Sequence, residues 1–323
     1  MFKTYLYKEE NYALWNDFVG KAKNATFLFH RDFIEYHKQR FYDYSLMVFD
    51  EKNNLQAIVA AHLQENKLYS HNGLTYGGIV VLPETKFNAV LKIVQSICVF
   101  LIENNFETFY IKDIPEFYTK LPSKEFEYIY HLLQAKLYRK EIISVISLNE
   151  KLPMSRTRKQ GINSSKNMGY DIKKENDFNI FFNELLLPHL HQKHQATPVH
   201  TVQELTYLQN KFPENIEHYN VYLNEKLVAG TTLFITENVA KAQYIATIPN
   251  YSERNSLDVL YYFLLEKYKH KKYFDFGPSH QENGRKIQEA ILFWKESFGA
   301  RAAIQNYYEI NLNNYKLLNS IFI

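Results

Sequence analysis

The chain is short of almost everything that would mark a specialised protein. It has a single cysteine, Cys98, so a disulfide framework is impossible and a reducing compartment is favoured. Ten glycines and nine prolines are too few for a fibrous or disordered chain. The longest apolar run, IVQSICVFLI at 93–102, is interrupted by Gln95 and Ser96. It falls short of the roughly 20 residues that a membrane span requires. The opening MFKTYLYKEENY has no apolar core of signal-peptide length. Lysine and arginine number 38 against 35 aspartates and glutamates, so no single-sign field advertises DNA or an acidic membrane. These absences predict a soluble, cytoplasmic protein with no DNA partner and no transmembrane segment, and they leave its oligomeric state open.

What the chain does have is aromatic mass, 26 tyrosines and 24 phenylalanines, and a length of 323 residues that suits two domains of about 150 each. It also repeats itself. Residues 2–19, FKTYLYKEENYALWNDFV, and 169–186, GYDIKKENDFNIFFNELL, share a strand-like opening, a charged turn and a helix pattern. After each comes a three-strand meander, predicted at 44–49, 55–62 and 67–81 in one half and at 218–223, 227–235 and 240–248 in the other. Helical periodicity then appears at Val90, Ile93, Val94, Ile97 and Leu101, and at Leu257, Leu260, Tyr261, Leu264 and Tyr268. The halves continue with short strands at 109–112 and 273–276, helices at about 123–137 and 284–297, and strands at about 140–148 and 301–311. The expectation is an α/β protein with mixed sheets, one unit used twice: a domain over 1–150, a basic linker helix over 151–168, and a second domain over 169–323 carrying the active site.

That order of elements resembles the GNAT acyltransferase fold, and its duplication resembles the Fem-type (FemAB-like) branch of that superfamily. The sharpest local match is YFDFG at 273–277, a polar loop with Glu282 and Gly284, and then WKESFGAR, similar to the FKxxFG signature of Fem-type proteins through Trp294, Lys295, Phe298 and Gly299. LYSHNGLTYGGIVV in the first half is similar to a segment ending in a glycine pair in polysaccharide-associated members. One departure is plain. The Gln/Arg-x-x-Gly-x-Gly/Ala cradle of acetyl-CoA-binding GNAT domains is replaced by PNYSERNSLDVL and LPETKFNAVL, neither with a glycine.

The resemblance implies an N-acyltransferase acting on an amino group of a cell-envelope or surface-polysaccharide precursor, an amino sugar linked to a nucleotide or lipid. The donor expected is acyl-CoA, with aminoacyl-tRNA, which several Fem-type proteins use, as the less favoured alternative. No metal and no covalent enzyme intermediate are implied, which leaves Cys98 a structural residue. Amine acylation needs a neutral amine, its alignment with a carbonyl, and a donor for the developing oxyanion. By the resemblance Lys295 stands at the reaction centre as the catalytic residue, with His280 or Glu282 taking the amine's proton. Asp275, Ser279 and Arg285 follow from the rule that ligands bind beyond the carboxyl ends of strands. Arg156 and Arg158 offer an anion clamp in an interdomain cleft. His71 and Tyr76 in the first half, and His194, His200 and Tyr244 in the second, complete the substrate-binding candidates. Plain alternatives stand beside these: a helix cap at Asn283 or Gly284, a capping box at Thr201 and Glu204, a tRNA-dependent aminoacyl transferase, or a non-catalytic binding protein on a decayed GNAT scaffold.

Overall fold

A computed structural model describes residues 2–194, 197–248 and 255–323. The chain divides into two compact units, Met1–Glu141 with Ile304–Ile323, and Ile142–Ala303. The ends of these units differ from the division drawn on the sequence, because hydrogen-bond pairing places the last strand of each sequence half in the unit begun by the other half.

In the first unit β1 (Lys3–Leu6), α1 (Tyr12–Lys21) and α2 (Arg31–Glu35) precede β2 (Tyr42–Asp43), β3 (Leu46–Phe49), β4 (Leu55–Val59), β5 (His62–Gln64), β6 (Lys67–Tyr69) and β7 (Ile79–Val81). Then come α3 (Phe87–Glu103), β8 (Thr108–Lys112), α4 (Glu125–Leu132) and β9 (Lys136–Ser147), which continues into the second unit. The single strand expected over 67–81 is two strands, β6 and β7. Between them Gly77 lies so close to Ser70 that an added Cβ would sit 1.8 Å from its carbonyl oxygen. The chain therefore changes sheet: β7 pairs with β4, while β6 pairs with β8. Helix α3 buries Val90, Ile93, Val94, Ile97 and Leu101 in the core of this unit, the face that the helical spacing marked. Cys98 lies in the same core, where burial pushes its thiol up to about 12. Helix α4 is shorter than the expected 123–137, as Gln134 takes a positive φ just after it.

The second unit contains α5 (Arg156–Ser165), β10 (Asp171–Glu175), and a helical run of α6 (Asn179–Phe181), a π-turn (Phe182–Leu186) and α7 (Leu187–His194). After α8 (Val202–Lys211) follow β11 (Ile216–Leu223), β12 (Lys226–Ile235), β13 (Val239–Thr247), α9 (Ser256–Lys267) and β14 (Tyr273–Pro278). A small hairpin of β15 (His280–Gln281) and β16 (Lys286–Ile287) leads to α10 (Glu289–Glu296) and β17 (Arg301–Asn311). The sheet runs β10-β11-β12-β13-β14-β9, with β13 and β14 parallel and the other pairs antiparallel. Leu260, Tyr261 and Leu264 of α9 pack with Phe274, Phe276 and Phe298 in its core. β17 pairs with β8 through Tyr307–Asn311, which is why the C-terminal segment belongs to the first unit. No helix among the described residues is long and apolar enough to cross a membrane.

Candidate active site

The WKESFG stretch at 294–299 is local architecture first. Gly299 takes φ +99°, a backbone that side chains rarely adopt, and an added Cβ would stand 2.6 Å from the Leu152 carbonyl oxygen. Glycine is therefore required for the chain to leave α10 against that carbonyl. Phe298 is fully buried against Tyr261, Phe276 and Trp294. With Phe298 and Trp294 turned to the core, Lys295 is carried inward as well, and it is 3% exposed.

The Lys295 ammonium is fixed by backbone. Its Nζ donates to the carbonyl oxygens of Gly277 at 2.9 Å and Pro278 at 2.6 Å, just where β14 ends. Asp275 holds the same turn from the other side, its Oδ1 accepting the Gly277 N–H at 2.6 Å. Gly277 meets both demands with φ +74°. Burial pulls the Lys295 amine down to about 7, with the Asp275 carboxylate opposing this and Lys241 adding to it. A buried amine that titrates near neutrality can hold an oxyanion when charged and accept a proton when neutral. Ser279 follows in the chain, its buried hydroxyl without a hydrogen-bond partner among the described residues.

The rest of the polar loop is a hairpin, not the start of a helix. Asn283 and Gly284 take positive φ values within it, and α10 is capped later, at Gln288, so neither is the N-cap. The hairpin puts His280 opposite Ile287, ties exposed Glu282 to Lys286 at 2.5 Å, and leaves Arg285 exposed. Ordinary turn signals in QENGR account for this equally well, so periodicity alone did not distinguish a hairpin from a first helical turn.

Arg158 is committed elsewhere. It forms an ion pair with buried Asp258, donates from Nε to Ser297 Oγ at 2.8 Å, and lies 5.0 Å from the centre of the Phe298 ring. Trp294 Nε1 donates to the same aspartate at 2.9 Å. Arg158, Asp258 and Ser297 border a cavity of about 410 Å³ that Ser155, Gly161, Asn255 and Phe293 also line; Trp294 and Lys295 do not line it. Arg156 is exposed on α5.

Among the other candidates, His200 and Tyr244 are brought together, both buried, with His200 Nδ1 2.6 Å from the Tyr244 hydroxyl. The capping box at Thr201 and Glu204 is present in full. His194 ends α7, and its side chain lies outside the described residues. In the first unit His71 and Tyr76 are interior residues. Tyr76 shares a hydrogen bond with Thr26 at 3.0 Å, and His71 packs 5.1 Å from His37 and 5.2 Å from His62, measured between ring centres. Among the described residues no group of three or more histidine, cysteine, aspartate or glutamate side chains is placed to hold a metal ion.

Lys241 escaped the reading of the sequence. Its signal was a lysine as the only charged residue of the mostly apolar strand VAKAQYIAT. It is buried on β13, directly opposite Asp275 in the parallel register.

The CoA implied by the fold does not fit the start of α9. Its first turn carries the buried Asp258 carboxylate, Asn255 at its N-cap lies against Gly161 of α5, and no glycine occurs between Gly230 and Gly277. A diphosphate there would lack the glycine turn that lets the backbone approach it, and it would compete with Asp258 for the Arg158 guanidinium. Residues 249–254, where the cradle would begin, lie outside the described residues.

No protein-family model matches the chain, and neither does the sequence of any curated protein. Solved structures do match. FemX superposes with a TM-score of 0.67 at 11% identity, covering 98% of this chain and 99% of that one. L-PGS from Bacillus licheniformis matches at 0.55 and 11% identity over 85% of this chain and 86% of its own. A tandem GNAT protein from the clavulanic acid biosynthesis pathway matches at 0.52 and 8% identity, covering 97% and 98%. The chain thus has the tandem GNAT-like α/β fold that these structures share.

Proposed function

We propose that the protein is an acyltransferase that joins an activated acyl or aminoacyl group to a primary amine, with its reaction centre at Lys295 in the second unit. The observation that carries this reading is the buried Lys295 ammonium, held on the Gly277 and Pro278 carbonyls beyond the end of β14. A lysine placed so deeply costs stability, and a position beyond a strand's carboxyl end is where α/β folds bind ligands. In this reading the amine attacks the acyl carbonyl directly, and Lys295 supports the charge and proton changes at that carbon. Ser279 and His280 stand next along the chain from Pro278 and contact the acceptor.

The acceptor class, an amino sugar of a cell-envelope or surface-polysaccharide precursor, comes from the Fem-type motifs. For the donor, the poor fit of a diphosphate at α9 favours an aminoacyl ester such as charged tRNA over acyl-CoA. Mass spectrometry of amino-sugar nucleotides incubated with the purified protein, with a panel of acyl-CoAs in one arm and charged tRNA in the other, tests both choices. Acylated product from the tRNA arm alone fits the favoured donor; product from the CoA arm reverses it. A chain inert with every donor and amine would be a binding protein on this scaffold.

A further inference from the structure

Two buried lysines stand in the field of one buried carboxylate. Lys241 and Asp275 are register partners across β13 and β14, so their side chains leave the sheet on the same face. Lys241 is 7% exposed, Asp275 1% and Lys295 3%. Lys241 Nζ donates to Gln243 Oε1 at 2.8 Å and to the Ala242 carbonyl at 3.4 Å, while Lys295 Nζ is held by Gly277 and Pro278. Asp275 favours the charged form of both amines. Across β14, β9 places Val145 opposite Asp275 and so adds no charge. Two other charged pairs of the unit, Arg158 with Asp258 and Glu282 with Lys286, are satisfied within themselves. Burial disfavours the charged form of both lysines while the Asp275 carboxylate opposes it, so the two amines compete for one neighbouring negative charge.

We propose that Lys241 is a positioning residue for the Lys295 site: buried opposite Asp275 on the neighbouring strand, it offsets part of that carboxylate's hold on Lys295 and so helps Lys295 carry its proton reversibly. This rests on the acyl-transfer reading. In the reaction the substrate amine forms the new C–N bond and its N–H proton passes to the neutral Lys295 amine. The bond from the acyl carbon to the leaving oxygen or sulfur then breaks, and Lys295 returns the proton to that atom. Protons balance with no further reactant. Burial draws the Lys295 amine down to about 7, in keeping with such a carrier, and Lys241 contributes to that depression.

The test is a pH titration of the Lys295 ε-carbon by NMR in protein carrying ¹³C-labelled lysine, with the signal assigned through Lys295→Arg. In wild type the midpoint lies near 7. Lys241→Met raises it, by less than Asp275→Asn lowers it, because Lys241 is the smaller of the two charge effects on Lys295. Lys241→Arg keeps the wild-type midpoint and controls for packing, and Asp275→Asn lowers it. In parallel, the acid limb of the transfer rate moves with the NMR midpoint in each variant. An unmoved midpoint in folded Lys241→Met overturns the proposal, as does a midpoint that moves while the rate limb stays. The titration needs no substrate, so it is decided separately from the acyl-transfer reading, which stands or falls on Lys295→Ala.

Discussion

Asp275 and Lys295 hold the same residue from its two sides: the aspartate carboxylate accepts from the Gly277 N–H at 2.6 Å, and the lysine Nζ donates to the Gly277 carbonyl at 2.9 Å. The turn after β14 is thereby fixed by two charged side chains that come from a strand and a helix. Loss of either partner frees the loop that begins at Pro278. Asp275→Asn keeps the shape but weakens the acceptor, so transfer falls while far-ultraviolet circular dichroism stays unchanged. A reduction of about tenfold or more is expected, because a charge-assisted hydrogen bond exceeds a neutral one by about 1 kcal/mol or more.

The Arg158 and Asp258 pair ties α5 to α9, with Trp294 Nε1 as a further donor to the aspartate. Asp258→Ala leaves a guanidinium without its carboxylate and an indole N–H without its acceptor. Removing one partner of a buried pair costs about 3–5 kcal/mol; Arg158 retains some exposure, so the lower end applies. Urea denaturation that finds wild-type stability in this variant contradicts the assignment.

Three interior histidines make the first unit acid-labile. Burial draws His37 and His62 down to about 4 and His71 well below its ordinary value. Arg40 bears on His37 and Arg31 on His71, both in the same direction, while Asp43 and Gln64 oppose it at His62. Groups with a lowered native pKa bind fewer protons when folded, so their contribution is complete above the unfolded value of 6.5 and is lost as pH falls through 4. The melting temperature falls steeply over that window. In a folded variant with His37, His62 and His71 replaced by phenylalanine or leucine the decline is shallower.

Gly299→Ala tests the local reading of the WKESFG stretch. A methyl 2.6 Å from the Leu152 carbonyl oxygen, on a residue with φ +99°, forces the backbone to move. A loss of about 2 kcal/mol or more is expected from strain of this kind. Thermal denaturation supplies the number. A neutral substitution would make that glycine's role other than structural.

How far the sequence could be read depended on how local each feature is. The duplication, the meander of the second half, helices α3 and α9, and the capping box at Thr201 and Glu204 are set by spacing within one segment, and all were legible. The inward placement of Lys295 was not legible in the periodicity, which fits a surface lysine on α10 equally well; only the resemblance of the WKESFG stretch to the Fem signature pointed to it. What escaped depends on pairing across the chain. Lys241 acquires its meaning only when β13 lies beside β14, and Arg158 finds Asp258 a hundred residues away. β17 joins β8 although about 190 residues separate them, and no periodicity reveals a partner strand.

The most direct measurement is the rate of acyl transfer to an amine acceptor by wild type and Lys295→Ala at neutral pH, with the donor that the product survey identifies. Removing a buried electrostatic or proton-carrying group at a reaction centre costs about 10²–10³-fold, and that loss, with the fold retained, is the predicted result. A folded Lys295→Ala protein that transfers at the wild-type rate would contradict the account.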